Sequence, residues 1–329
     1  SEMCIRDSLK TEHLRELWLH LTNRCNLACR HCLFASGPAA TDELSLEDVG
    51  RLAAEAVELG CRVFALTGGE PFSHPHFGTI VRDLLAYRDT QVVVLTNGLQ
   101  LSRHLEAADW DLSRLHLQVS VDGLEERHDR LRGKGTFAAL GAELAWLKAR
   151  ELPFTLSMCV ERDNVADMPA LIDYAADVGA ATVHFLWYFV RGRAGAEGFV
   201  PPNELFHHLR LAAARAKARG IRIDNLEALR TQAFAPVGTF HDGSNSGWES
   251  AAVGPDRRLY PSAATVGLKE LATELSQDLA TAWRQGESLR QLREATAATL
   301  PSPWRFFTGG GDADHSFLRG GCFAGDDPY

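Results

Sequence analysis

Three absences bound this 329-residue chain. It lacks any run of about 18 to 20 uninterrupted apolar residues, so no membrane-spanning helix is expected, and its start lacks the apolar h-region of a signal peptide. It also lacks an excess of positive charge. There are 34 Lys and Arg against 43 Asp and Glu, a net charge of −9, and with no basic run a nucleic-acid partner is not expected. Cysteine is sparse and odd in number, seven in all, unlike the framework of a secreted disulfide protein. The expectation is a chain with no nucleic-acid and no membrane partner, in the reducing cytoplasm. Its 45% hydrophobic and 23% charged content is that of an ordinary globular protein, with length for one large domain or two smaller ones.

What is present is a cluster of cysteine. Cys25, Cys29 and Cys32 fall in CNLACRHC just past an apolar run, with three and then two residues between thiols. One tight loop can then point three sulfurs at a single centre. A cubane iron-sulfur cluster has four irons, and ferredoxin-type clusters give each one a thiolate. Three protein ligands therefore leave one iron open to a substrate or cofactor. Zinc is the rival reading, but it favours four closed ligands in CxxC pairs, and only Cys29 and Cys32 make such a pair, with His31 between them.

Along the chain, apolar and β-branched runs at residues 16–22, 62–67, 91–96, 115–121, 153–160 and 182–190 predict six strands. Helical patterns at 45–59, 77–87, 102–108, 137–150 and 168–178 lie between them, the first opened by a capping-box-like start at Ser45. Strand and helix alternating every 30 residues or so read as parallel βαβ units that curl toward a barrel. Periodicity alone leaves a doubly wound open sheet as the alternative. Residues 1–8 show no periodicity and join abruptly to the patterned chain after them, so residues 1–10 read as a non-native or disordered N-terminus, which would make Cys4 irrelevant.

In parallel α/β folds ligands gather at the C-terminal ends of strands. The cysteine loop follows the first strand, the second runs into Thr67-Gly68-Gly69-Glu70-Pro71, the third into Thr96-Asn97-Gly98, and the fourth ends in Ser120-Val121-Asp122-Gly123. Four consecutive strands thus deliver thiols, glycines, carboxylates and small polar groups to one rim.

These motifs, in this order, resemble the radical S-adenosylmethionine (SAM) superfamily. CNLACRHC matches its CxxxCxxC signature, TGGEPFSHP is similar to its Gly-Gly-Glu-Pro motif, and VSVDGLEERHDRLRGKGTF is similar to the strand-four segment of the peptide-modifying branch. The resemblance covers residues 16 to 195. It implies a partial (β/α)6 TIM-like barrel and one 4Fe-4S cluster held by Cys25, Cys29 and Cys32, whose open iron chelates SAM. One electron then cleaves the sulfonium to methionine and a 5′-deoxyadenosyl radical that abstracts a substrate hydrogen. Carried over residue by residue, Gly68 and Gly69 allow close approach to the methionyl part and Glu70 accepts from its ammonium group, with a βα turn and N-cap carboxylate as the alternative. Asn97, Ser120 and Asp122 match positions that meet polar groups of SAM, where a plain turn is the alternative. His31 sits where the family places a residue beside adenine, or hydrogen-bonds toward the cluster. Arg132 pairs the SAM carboxylate or is a solvated surface arginine. Leu186 marks backbone contacts to adenine, Trp187 and Tyr188 read as core, and Cys61 and Cys159 read as small buried hydrophobes.

Residues 11–200 make up the expected barrel and 201–329 a smaller α+β extension. A helix at 202–220, a strand at 221–223, a Gly-, Ser- and Asp-rich loop at 236–247, a hairpin of 251–253 and 258–260 around Gly254-Pro255-Asp256, and a helix at 277–298 are predicted there. This region resembles the SPASM or twitch domain, whose relatives place auxiliary-cluster cysteines there, one of them where this chain has Ser262. After residue 200 only Cys322 remains. An auxiliary cluster is therefore not expected unless Asp312, Asp314 and His315 substitute as ligands; the alternative is a cap shaping the substrate cleft. The ending at Asp-Asp-Pro-Tyr falls where relatives often continue, so truncation is an open reading. Expected partners are a peptide or peptide-derived small molecule and a flavodoxin- or ferredoxin-type electron donor. With fewer than 20 residues before strand one, a separate leader-peptide-binding protein is a further candidate. A non-catalytic iron-sulfur scaffold or sensor is the reading from a different class.

Overall fold

The computed structural model describes residues 13–106, 108–226, 245–275, 278–295, 311–325 and 327–329. Residues 1–8 and most of the loop expected at 236–247 lie outside these.

The six expected strands form as β1 (Glu16–Thr22), β2 (Val63–Gly68), β3 (Gln91–Thr96), β4 (Leu115–Ser120), β5 (Phe154–Val160) and β6 (Thr182–Trp187). They pair in parallel in chain order, Leu17 opposite Phe64 and Leu117 opposite Phe154. A doubly wound sheet would reverse this order at a switch point. The unbroken order instead follows from crossovers that all turn the same way, and it gives a mostly parallel, TIM-like partial barrel. The helices that cover it are α1 (Leu46–Glu58), α2 (Phe77–Ala86), α3 (Leu101–Leu105), α4 (Glu125–Arg132), α5 (Thr136–Ala149) and α6 (Met168–Val178). The Ser45 side chain accepts from the Asp48 amide at 3.0 Å and the Asp48 carboxylate from the Ser45 amide at 3.3 Å, which completes the capping box of α1. Val49, Leu52, Ala53 and Ala56 then face the core at helical spacing. Residues 102–108 yield only the short α3, and α4 is unexpected because EERHDRLR buries just His128 and Leu131.

After α7 (Pro202–Arg219), β7 (Arg222–Ile223) joins β6, whereas β8 (Ser250–Val253) returns beside β1 and carries β9 (Arg258–Tyr260) and β10 (Thr273–Glu274) antiparallel outside it. The later residues thus extend both edges of one ten-stranded sheet. The helix expected at 277–298 is instead two, α8 (Leu279–Gln285) and α9 (Glu287–Glu294). Gly286, extended at φ −56° and ψ 130°, separates them, with space for no side chain: a Cβ would lie 2.6 Å from the Ala282 carbonyl oxygen. The last helix, α10 (Ala313–Gly320), is a further difference from the sequence expectation, and Asp312 caps it.

Candidate functional site

The cysteine loop leaves β1 at Thr22 and is held by its own backbone. Cys25 N–H donates to Gly37 O at 3.2 Å, Cys32 N–H to Cys29 O at 3.3 Å and Ala35 N–H to Cys32 O at 3.2 Å. Cys25 is buried, Cys29 and Cys32 half-buried, and the Leu27 amide donates to Cys25 Sγ at 3.4 Å. Burial pushes the Cys25 thiol up to about 12 and raises that of Cys29, so a metal must displace the protons when it binds. Among the described residues no three His, Cys, Asp or Glu side chains come together for a single metal ion. The three thiols share one loop and act on one another, Cys29 and Cys32 both adding to the rise at Cys25, as side chains around one centre do.

The end of β2 lies directly on this loop. Gly69 N–H donates to Thr22 O at 2.7 Å and Glu70 N–H to Arg24 O at 2.9 Å. A Cβ on Gly68, whose φ is +140°, would sit 2.4 Å from Thr22 O, and one on Gly69 2.4 Å from Arg24 O. The glycine pair is thus required by the backbone of the loop's own stem. Glu70 is buried and accepts from Thr96 Oγ1 at 2.8 Å, Phe72 N at 3.2 Å and Asn97 N at 2.8 Å. Burial pushes its carboxyl up to about 7, against the pull of those donors. Asn97 reaches back to the loop, its Nδ2 2.7 Å from Asn26 Oδ1 and 3.9 Å from Cys25 Sγ.

Asp122, past β4, is fully buried and holds three elements together. It accepts from Arg132 Nε of α4 at 2.5 Å, from the Cys159 amide of β5 at 2.9 Å, and meets His31 Nε2 at 2.9 Å. Burial alone would raise its carboxyl, but the charges of Arg132 and His31 outweigh that and hold it well below the usual carboxylate range. An ionised Asp122 is an acceptor only, so His31 donates to it through Nε2. His31 Nδ1 is buried without a partner among the described residues. Arg132 is therefore no solvated arginine: its side chain is 12% exposed. Ser120 closes β4 opposite Ser157, and Leu186, 41% exposed, lies opposite Cys159 across β5 and β6. Cys61 is buried as expected, whereas Cys159 is half-buried and its thiol has Asp122, Arg132 and Glu161 as charged neighbours. Tyr188 is buried; Trp187 is only partly so.

Sequence reasoning missed two contributors. A cavity of about 400 Å³ beside the cysteine loop is lined by His31, Glu161, Tyr188 and Arg193 among others. Glu161, buried just past β5, has its carboxyl raised by burial. Arg193, just past Gly192, donates to Cys29 O and Ser36 O. An acid immediately after a strand was the only available signal for Glu161. Arg193 gave none, since its partners lie far away in sequence.

Three of the residues considered as substitute ligands, Asp312, Asp314 and His315, sit at the start of α10. Asp312 caps α10 by accepting from the Asp314 and His315 amides, and His315 stacks on Phe189 at 3.9 Å between centroids. Asp314 is buried and Cys322 exposed.

The radical SAM superfamily profile matches residues 19–175. The chain is 32% identical over 178 residues to the subtilosin biosynthesis protein AlbA of Bacillus subtilis, covering 53% of this chain but only 40% of that protein. It is 31% identical over 294 residues to the PqqA peptide cyclase of Ruegeria pomeroyi, covering 83% of this chain and 74% of the cyclase. Streptococcus suis SuiB bound to S-adenosylmethionine superposes with a TM-score of 0.73 at 12% identity, over 97% of this chain and 77% of SuiB, a likeness of fold.

Proposed function

The chain belongs to the radical SAM superfamily, in its SPASM/twitch-type branch, and we propose that it is the member that modifies a ribosomally made peptide by hydrogen abstraction, with crosslinking or epimerisation as the outcome. The observation that carries the reading is Asn97: its amide binds the Glu70 carboxylate while its side chain meets Cys25 Sγ. One residue thus joins the thiols to the buried acid. Cys25, Cys29 and Cys32 would hold one 4Fe-4S cluster, and three neighbouring thiols on one loop fit it. When bound, the cluster supplies the electron that cleaves SAM.

The chain's own groups then have distinct tasks. A carboxylate offers about four lone-pair positions; Glu70 uses three, leaving one for an ammonium group, which would also draw its proton off. Arg132 is positioned by Asp122 and offers its other N–H groups to a carboxylate. Asn97, Ser120 and His31 Nδ1 would meet polar groups of the nucleoside, with Leu186 beside the adenine. The likeness to a peptide cyclase and to a bacteriocin biosynthesis protein supports a peptide substrate. The alternative is a step in assembling a redox-peptide or haem-like cofactor. A flavodoxin- or ferredoxin-type donor and a separate leader-peptide-binding protein are the partners this activity calls for.

Anaerobic reconstitution with iron and sulfide, then assay of 5′-deoxyadenosine with SAM and a strong reductant, tests the reading. Turnover is expected in the native chain and none in Cys29→Ala. Absence of both a four-iron cluster and SAM cleavage in the native chain would overturn it. Incubation with short peptides encoded beside its gene then separates peptide maturation from cofactor assembly.

A further inference from the structure

Three consecutive residues after β6 face in two directions. Arg193 points to the cysteine loop: its guanidinium donates to Cys29 O at 2.7 Å and Ser36 O at 2.8 Å, and its amide donates to Cys32 O at 3.0 Å. One planar fork thus closes the turn from Cys29 to Ser36. Gly192, at φ +68°, lies so close to the loop that a Cβ would be 2.3 Å from Leu33 O and 2.4 Å from Cys32 O. Arg191 points the opposite way, donating to Ala264 O and Val266 O. Those carbonyls belong to the short turn after the hairpin of β8 and β9, which Ser262 and Thr265 lock through a capping box. The Arg191 guanidinium also lies 5.8 Å from the Phe34 ring, inside the span that Arg193 closes.

We propose that Arg191-Gly192-Arg193 is a strap through which the C-terminal hairpin sets the position of the cysteine loop, Arg193 being the positioning residue for the thiols and Arg191 its anchor. The hairpin turn is the fixed point because its backbone is internally capped. Gly192 brings the strap into backbone contact, so a shift at Arg191 has no slack to absorb it before it reaches Cys32. Arginine suits both ends, since its rigid fork can hold two carbonyls at once where lysine holds one point. The extension thereby acts on the barrel site without giving it a ligand. That consequence for the cluster rests on the radical SAM reading; the mechanical link does not.

A thiol-reactivity experiment keeps the two apart. The reduced, metal-free chain is alkylated under native conditions with iodoacetamide, and the rate at each cysteine is mapped by mass spectrometry. Arg191→Met, which touches no backbone atom of the loop, is expected to raise the rates at Cys29 and Cys32 at least fivefold. Cys61, buried in the core, and Cys322, exposed, should be unchanged. Arg191→Lys should give a smaller rise at the same two residues. Combining Arg191→Met with Arg193→Met should add nothing to Arg193→Met alone, whereas independent anchors would multiply. In the reconstituted chain, iron loss to a chelator should speed up in the same order. Native rates at Cys29 and Cys32 in both Arg191 variants, or an equal rise at Cys61 in both, would overturn the strap. A chain that binds no iron yet shows the localised thiol response would end the cluster reading and leave the strap standing.

Discussion

The barrel rim and the C-terminal extension each bury carboxylates, and their fates differ. At the rim, Glu70 and Asp122 each have three polar partners. In the extension, Asp314 has the hydroxyls of Ser262 and Ser246 beside it, and His315 Nδ1 lies 3.5 Å from Asp312 Oδ1. Yet protonation does not follow the number of partners. Glu70 and Asp314 are both pushed up to about 7, chiefly by burial, while Asp122 is held far down. What separates Asp122 is the charge of its partner. Neutral donors stabilise a buried carboxylate too little to offset desolvation, and the guanidinium of Arg132 does so outright. The rim therefore keeps one fixed negative charge, at Asp122, and one acid that a cationic ligand can ionise, at Glu70.

Breaking the Asp122 hub should have the largest effect. Asp122→Ala strands Arg132 as a buried cation and removes the carboxylate that His31 of the loop meets, which is expected to lower stability by about 3–5 kcal/mol in urea unfolding. Arg132→Met added to it should recover part of that loss, because the unpaired charge goes. A loss below about 1 kcal/mol would mean that the pair is as weak as a surface ion pair and that the contrast with Asp314 is not one of charge.

The next effect is steric. Gly69→Ala places a methyl 2.4 Å from the Arg24 carbonyl oxygen, and backbone cannot step aside as a flexible side chain can. Overpacking of this kind costs about 1–3 kcal/mol, and the displaced stem should lower iron uptake on reconstitution as well. Stability lost with iron uptake unchanged would separate the glycine pair from the placement of the thiols.

The local parts of this architecture are legible in the sequence. The cysteine loop, the Gly-Gly-Glu turn and the six strands are written in short windows, although β4, LHLQVS, is apolar on one face only. The roles of Asp122 and Arg193 are not legible, because their partners come from distant chain: Arg193 and Cys29 are 164 residues apart. The α4 helix carries too few apolar residues to show a period, and Gly286 breaks a pattern that otherwise reads as one helix. Arg132 reads from sequence as a ligand of SAM or a solvated side chain. Nothing in Leu-Arg-Gly reveals a third answer, the buried partner of an aspartate ten residues earlier.

The smallest expected effect concerns Asp314, and its sign is fixed. Its carboxyl moves from 3.8 to about 7 on folding, so the native chain holds an extra proton between those values. The stability this contributes is present in full below about pH 4 and is lost as pH rises through 7. Asp312 is held low instead, so its contribution fades only below its ordinary value and lies outside that window. Asp314→Asn keeps an oxygen to accept from its neighbours Ser262 and Ser246 and removes the titration. It should therefore raise the melting temperature by about 2 °C at pH 8, leave it unchanged at pH 4, and flatten part of the decline between. Other groups share that window: Glu70, Glu16 and Glu161 are raised as well and add to the decline, whereas the buried His20 and His128, held down to about 4, oppose it, so the difference between variant and native profiles is what reports Asp314. An Asn variant with the native pH profile would show that Asp314 ionises freely where it sits, and the extension would then hold a compensated acid like Asp122.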